Sequence, residues 1–178
     1  VPIAVKDEVN QVGYPTTGGT RFLGKGSERE DATVVARLRA AGALLVGKTN
    51  MHEIGLGATG INPHHGAARN PYDPACITGG SSSGSGAVVG RGLVPAAIGA
   101  DGGGSVRIPA SLCGVVGVKA TYGRVPETGA LPLVWTLAHI GPLAATVADA
   151  SEILALIAGE DPRDPNTLGQ PSLDLRGV

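Results

Sequence analysis

Short apolar runs broken by Gly, Pro and polar clusters recur along the chain, and their spacing switches between strand-like and helix-like. Pro2-Ile3-Ala4-Val5 is an apolar run closed by Lys6-Asp7-Glu8, the pattern of a buried strand whose polar end emerges at a sheet edge. The stretch from Tyr14 to Thr20 reads as loop. Ser27 and Glu30 have capping-box spacing ahead of a predicted helix over 31–41, in which Val34, Val35, Leu38 and Ala41 recur at helical spacing and which Gly42 stops. A buried strand is predicted over 43–46. Helix, short turn and apolar strand in that order point to an α/β architecture.

Between Asn50 and Ile77 the pattern is mixed, with a short helix expected over 51–56 and then a long loop carrying Pro63-His64-His65-Gly66 and Asn70-Pro71-Tyr72-Asp73-Pro74. A loop of that length in a compact domain is often functional. A helix is expected over 82–92, packed closely through its Gly and Ala positions, with strands over 95–100 and 115–118 and a helix-like segment over 108–112. Thr146 and Asp149 mark a capped start for a helix over 147–158, whose apolar stripe is Ile153, Leu154 and Ile157. From 160 to 178 the chain turns rich in Pro, Asp and Gly and reads as a linker with nothing packed after it, leaving 1–159 as the folded segment.

With 178 residues there is room for one ordinary domain and a sizeable core. A net charge of -1 with scattered Lys and Arg gives no basic footprint, and one Phe, one Trp and three Tyr make poor stacking platforms, so no nucleic-acid partner is expected. Cys76 and Cys113 cannot build a disulfide framework or a zinc site and are read as small buried thiols. No metal or cofactor is expected. No targeting or membrane-spanning segment is recognised, which points to the cytoplasm or a peripheral membrane position while leaving location and membrane association open.

The chemistry concentrates between Thr78 and Lys119. Two Gly/Ser clusters, Gly79-Gly80-Ser81-Ser82-Ser83-Gly84-Ser85-Gly86 and Gly102-Gly103-Gly104-Ser105, flank an apolar connector. A phosphate-binding loop is disfavoured because Gly84 is followed by Ser85 rather than Lys, and the dinucleotide fingerprint lacks its third small position. Acyl transfer by a serine fits better, since Gly102, Gly103 and Gly104 offer unshielded N–H groups ahead of Ser105, as an oxyanion hole requires. The base is either a histidine (His52, His64, His65, His139) or a lysine at the end of an apolar run (Lys6, Lys48, Lys119). Lys25 lies in a polar loop where solvent keeps it charged. A lysine neutral near pH 7 costs about 4.6 kcal/mol, which only a dry pocket supplies, and the pattern leaves the three open.

At these residues the chain resembles the amidase signature family of serine hydrolases. The resemblance rests on Gly79-Gly80-Ser81-Ser82, on Gly103-Gly104-Ser105-Val106-Arg107-Ile108-Pro109, on Cys113-Gly114-Val115-Val116-Gly117 and on Pro2-Ile3-Ala4-Val5-Lys6-Asp7. It implies a mixed β-sheet core flanked by helices and a catalytic triad of Lys6, Ser81 and Ser105: base, bridging serine and nucleophile. It further implies an oxyanion hole from Gly102, Gly103, Gly104 and Ser105, support from Thr78, Asp101 and Arg107, and a cis bond between Gly80 and Ser81. The segments 62–71, 101–105 and 129–136 are most similar to the plant-type fatty acid amide hydrolase branch, which implies N-acylethanolamines or related long-chain amides as small-molecule substrates. The glutaminase-like component of a tRNA-dependent amidotransferase shares the triad and is the alternative, as is a catalytically silent piece. Family members are longer, so the chain is expected to be a fragment; a homodimer is left open.

Overall fold

The computed structural model describes residues 1–171 and 173. Its centre is a five-stranded sheet in the order β2-β1-β5-β7-β6, formed by β1 (Pro2–Lys6), β2 (Leu44–Thr49), β5 (Ala96–Asp101), β6 (Val116–Gly117) and β7 (His139–Ala144). β1 runs parallel to both β2 and β5, whereas β7 is antiparallel to β5 and β6, so the sheet is mixed. A small antiparallel pair, β3 (Ile61–Asn62) and β4 (Gly66–Ala67), turns through the His64-His65 loop. Asn62 Oδ1 fixes that turn by accepting from the N–H groups of His64 and His65.

Alternation along β1 and β5 sorts the two faces of the sheet. Ile3, Val5, Ala96 and Ile98 pack under α1 (Thr33–Ala40) and α4 (Val147–Ile157), against Val34, Val35, Leu38, Ile153, Leu154 and Ile157. Ala4 and Ala97 face the other way, toward Val89 of α2 (Ser83–Gly90), and α3 (Arg107–Cys113) packs beside α2 on that side. Small residues make the second interface close. A Cβ at Gly84 would sit 2.6 Å from the backbone N of Asn50, and one at Gly99 would sit 2.8 Å from Ser82 Oγ. Ser-Gly-Ser-Gly is a poor helix sequence, so α2 is held by this packing rather than by intrinsic propensity.

Several predicted elements are in place with shifted ends. The predicted buried strand over 43–46 extends to Thr49 but is not buried, because β2 is the edge of the sheet and leaves Leu44 and Val46 exposed; the strand over 115–118 shrinks to β6, and the helix over 51–56 is a single 3₁₀ turn at Glu53–Gly55. Gly42 ends the first helix at φ 85°, and Thr146 caps α4 by accepting from Asp149 N at 3.1 Å. The Ser27–Glu30 capping box is not formed. α1 starts at Thr33 behind an extended Ala32, while Asp31 is held by Arg39 and the Val12 N–H, and Glu30 pairs with Arg163.

The sequence pattern predicts no strand at β7, because Gly141 and Pro142 interrupt its apolar run. The structure accommodates both: a side chain at Gly141 would strike the Val118 carbonyl, and the Pro142 carbonyl accepts from Val118 N at 3.1 Å.

The stretch expected as a linker packs on the domain over its described part. Asp161, Asp164 and Thr167 are buried; Asp161 accepts from the Thr33 hydroxyl at the start of α1, and Asp164 Oδ2 accepts from Glu127 N at 2.9 Å. Arg37 donates to the carbonyls of Ile157, Ala158, Gly159 and Glu160, closing the C-terminus of α4. These are long-range polar contacts to which a composition reading is blind. The remainder of that stretch, 172 and 174–178, lies outside the described residues. Cys113 is buried, but Cys76 is exposed, against the expectation for both; its loop carries it away from the core.

Candidate active site

β1 and β5 are parallel and adjacent, so their C-terminal ends deliver Lys6 and Asp101 to one edge of the sheet, on the face covered by α2. Open α/β sheets characteristically bind ligands beyond the carboxyl ends of their strands. Lys6 is fully buried. Its Nζ donates to Ser81 Oγ at 2.7 Å and to the Ala100 carbonyl at 3.3 Å, and lies 3.1 Å from Glu8 Oε1. Burial pushes the Lys6 amine below its ordinary value, against the opposing pull of Glu8 and Asp101.

Of the clustered serines, Ser81 alone bonds to the lysine. Ser82 donates to the Ala100 carbonyl, Ser83 to that of Asn50 and Ser85 to that of Ile98, so these three hydroxyls fasten α2 to the sheet. The Gly80–Ser81 bond is cis. Thr78 is buried beside it, but its hydroxyl donates to the Gly79 carbonyl and braces the backbone rather than the Ser81 side chain.

Ser105 sits just past the end of β5, 9% exposed, and its carbonyl accepts from Ser82 N at 3.2 Å. Among the described residues no hydrogen bond joins the Ser81 and Ser105 hydroxyls, so the second link of the expected relay is open in this arrangement. Catalytic hydrogen bonds commonly close only when substrate is bound.

Asp101 organises the glycine loop. Its carboxylate accepts from the N–H groups of Gly104 (2.6 Å), Val106 (3.1 Å) and Arg107 (3.2 Å), and from the Arg107 guanidinium at 2.9 and 3.0 Å. Burial alone would raise this carboxyl; the Arg107 fork and the N–H donors outweigh it and bring it to about 2. One expectation changes in consequence. The Gly104 N–H is committed to Asp101, which leaves the N–H groups of Gly102, Gly103 and Ser105 without a protein acceptor among the described residues.

Those groups border an open cleft of about 310 Å³ lined by Gly102, Gly103 and Ser105 together with Leu56, Ala58, Ile108, Leu133 and Val134. Besides Ile108 of α3, the apolar wall comes from the end of the expected 51–56 helix and from the loop before β7; nothing in the local pattern places these two segments beside Ser105. Glu8 is absent from the sequence-derived site as well, although its spacing of two from Lys6 at a strand end is an available signal.

The other candidate bases are elsewhere. Lys48 donates to the Val9 carbonyl and Thr16, Lys119 to the Ala120 carbonyl, and Lys25 is exposed. His64 pairs with Glu53, His65 bonds the Thr20 carbonyl and His52 bonds Thr59. His139 is buried with Nε2 accepting from Gly123 N at 2.8 Å and Nδ1 facing the Leu137 carbonyl, a network that assigns it the neutral form; burial pushes it below its usual value. None of the four bonds to Ser105. Among the described residues there is no cluster of three or more His, Cys, Asp or Glu able to hold a metal, and no helix is long and apolar enough to cross a membrane.

The Amidase family profile matches residues 1–176, which is nearly the whole chain. The chain belongs to the amidase family. This amidase chain is 54% identical over 167 residues to a fatty acid amide hydrolase of Oryza sativa subsp. indica, covering 93% of itself and 28% of that protein. It is 49% identical over 177 residues to a glutamyl-tRNA(Gln) amidotransferase subunit of Anaeromyxobacter dehalogenans, covering 99% of itself and 36% of the relative. The crystal structure of a glutamyl-tRNA(Gln) amidotransferase subunit from Thermotoga maritima superposes with a TM-score of 0.93 at 43% identity, over 96% of this chain and 38% of that one. The amidase chain thus spans about a third of the length of the proteins it matches, and its mixed sheet flanked by helices is their fold over that span.

Proposed function

We propose that the amidase chain carries the catalytic core of a serine hydrolase that cleaves a linear carbon–nitrogen amide bond. The observation that carries this reading is the buried 2.7 Å bond between Lys6 Nζ and Ser81 Oγ, formed beside a loop whose spare N–H groups and one serine face a cleft. Lys6 in its neutral form takes the Ser81 proton as Ser81 takes that of Ser105, and Ser105 Oγ attacks the amide carbonyl. The oxyanion is stabilised by the N–H groups of Gly102, Gly103 and Ser105; removing one such donor typically costs about 2.7 to 4 kcal/mol of transition-state stabilisation. The proton returns along the same path to the leaving nitrogen and expels the amine. Water, activated by the relay, then hydrolyses the acyl-enzyme.

For the substrate, we favour fatty acid amides such as N-acylethanolamines over glutamine. The resemblance to plant-type fatty acid amide hydrolases supports it, and so does the cleft wall of Leu56, Ile108, Leu133 and Val134, which offers an acyl chain apolar contact.

The test is labelling with a fluorophosphonate followed by turnover assays. Ser105→Ala is expected to abolish labelling and Ser81→Ala and Lys6→Ala to slow it by at least about 100-fold, the scale of general-base assistance. Undiminished labelling of Ser105→Ala would remove the nucleophile, and faster release of ammonia from glutamine than hydrolysis of a long-chain acyl amide would transfer the substrate to the amidotransferase type.

A further inference from the structure

Lys6 is not the only ionisable group in its pocket. Glu8 Oε1 lies 3.1 Å from Lys6 Nζ, with side-chain exposures of 0% for the lysine and 5% for the glutamate. The turn that follows β1 creates this pairing: Val9 N donates to the Lys6 carbonyl at 3.0 Å and Leu131 N to that of Glu8 at 2.8 Å, folding Glu8 back over the lysine. The other carboxylate oxygen and Ser81 Oγ converge on one patch of backbone, each 3.5 Å from where a Cβ on Gly55 would stand. Nζ therefore sits between a carboxylate on one side and the bridging hydroxyl on the other.

We propose that Glu8 is the counter-charge of Lys6, a positioning residue that acts through Lys6 to aim Nζ at Ser81 and to set the acid limb of the enzyme's pH profile. The inference rests on the assignment of Lys6 as the base. A fully buried amine with no counter-charge loses its proton readily but is then a weak acceptor, whereas a general base works best when its protonation falls near the working pH. Burial and the carboxylate act on Lys6 with opposite signs, and their balance tunes it. Asp101 faces Lys6 from the end of β5 and adds to the pull of Glu8, but its carboxylate is occupied by Arg107 and three N–H groups. Lys48 on β2 and Glu127 on the loop after β6 also lie in the field of Glu8, and Asp7 lies in that of Lys48.

The test is the second-order rate of fluorophosphonate labelling between pH 5 and 10, which reads activation of Ser105 directly. Glu8→Gln keeps the shape and removes the charge, so neutral Lys6 persists to lower pH. The acid-limb midpoint is expected to fall by at least about one pH unit, the scale of one nearby opposite charge. Glu8→Asp, which keeps the charge but draws it back, is expected to fall between Glu8→Gln and the parent and supplies the reading should Glu8→Gln fold poorly. An acid limb that stays in place in either folded variant, or one that moves equally in Glu127→Gln, would overturn the role of Glu8 and leave the triad standing. Full labelling of Lys6→Ala across the pH range would instead bring down the triad reading itself.

Discussion

Replacing Asp101 by Asn tests whether one buried carboxylate holds the oxyanion loop in shape. The side chain is completely screened from solvent and accepts three backbone N–H groups in addition to the Arg107 fork. Because Arg107 is half exposed, its share is screened, and the weight falls on the N–H groups. A carboxyl held at about 2 rather than 3.8 favours the folded, ionised form by about 2 kcal/mol at neutral pH. The folded value is depressed, so this contribution is fully present above pH ~4 and is lost as pH falls toward about 2. Asn supplies neither the charge nor a second acceptor, and its amide protons would point at N–H groups. Asp101→Asn is therefore expected to lower the melting temperature at pH 7 by roughly 4–8 °C for a domain of this size, with the gap to the parent closing on acidification. Thermal unfolding followed by circular dichroism between pH 7 and pH 3 measures both. Freed from Asp101, the loop also loses its geometry, so fluorophosphonate labelling should drop by at least about tenfold. A variant as stable as the parent at pH 7, or a gap independent of pH, would refute the argument.

Other positions carry separate expectations. Glu127 is pushed up to about 7, chiefly by burial and then by the neighbouring Asp164 and Glu8 carboxylates, so the folded state resists its ionisation and stability should decline as pH rises from about 4.5 to about 7. Glu127→Gln is expected to flatten that slope in melting temperature against pH; an unchanged slope would place the titration elsewhere. Gly84→Ala drives a methyl against the Asn50 backbone and should cost about 1–3 kcal/mol in urea unfolding and slow labelling of Ser105, because α2 carries the chain out of Ser81. Leu38→Ala, in the core between α1 and α4, is expected to cost about 2–5 kcal/mol by the same assay while leaving the acid limb of labelling where it was. Thr146→Ala removes the cap of α4 and should cost about 1 kcal/mol.

Helix stripes and apolar strand runs are legible wherever the local pattern agrees with the global fold. Val34, Val35 and Leu38 announce α1, and Thr146 announces the start of α4, because these signals lie within a few residues of each other. β7 is hidden by Gly141 and Pro142, which are tolerated there because the Val118 backbone crowds the one and donates to the carbonyl of the other. The packing of Asp161 on Thr33 and of Arg37 on the end of α4, each across more than a hundred residues, has no local signature at all. In the candidate site the Gly/Ser clusters and the glycine loop are readable, while the choice of Lys6, Ser81 and Ser105 rests on the family resemblance, the pattern alone leaving Lys6, Lys48 and Lys119 open. The commitment of the Gly104 N–H to Asp101, the apolar cleft wall and the Lys6–Glu8 pair are not readable.

By itself the sequence determined the inventory: an α/β chain with a lysine at the end of its first strand and hydroxyls set among glycines. Residue type and short-range spacing carry that much, since strand and helix periodicities are local. Tertiary structure decided which lysine is dry and which serine meets it. Desolvation and hydrogen-bond geometry arise only when β1 closes on β5 and the start of α2, both scores of residues away from it along the chain, through Ala4, Ala97, Gly84 and Gly99.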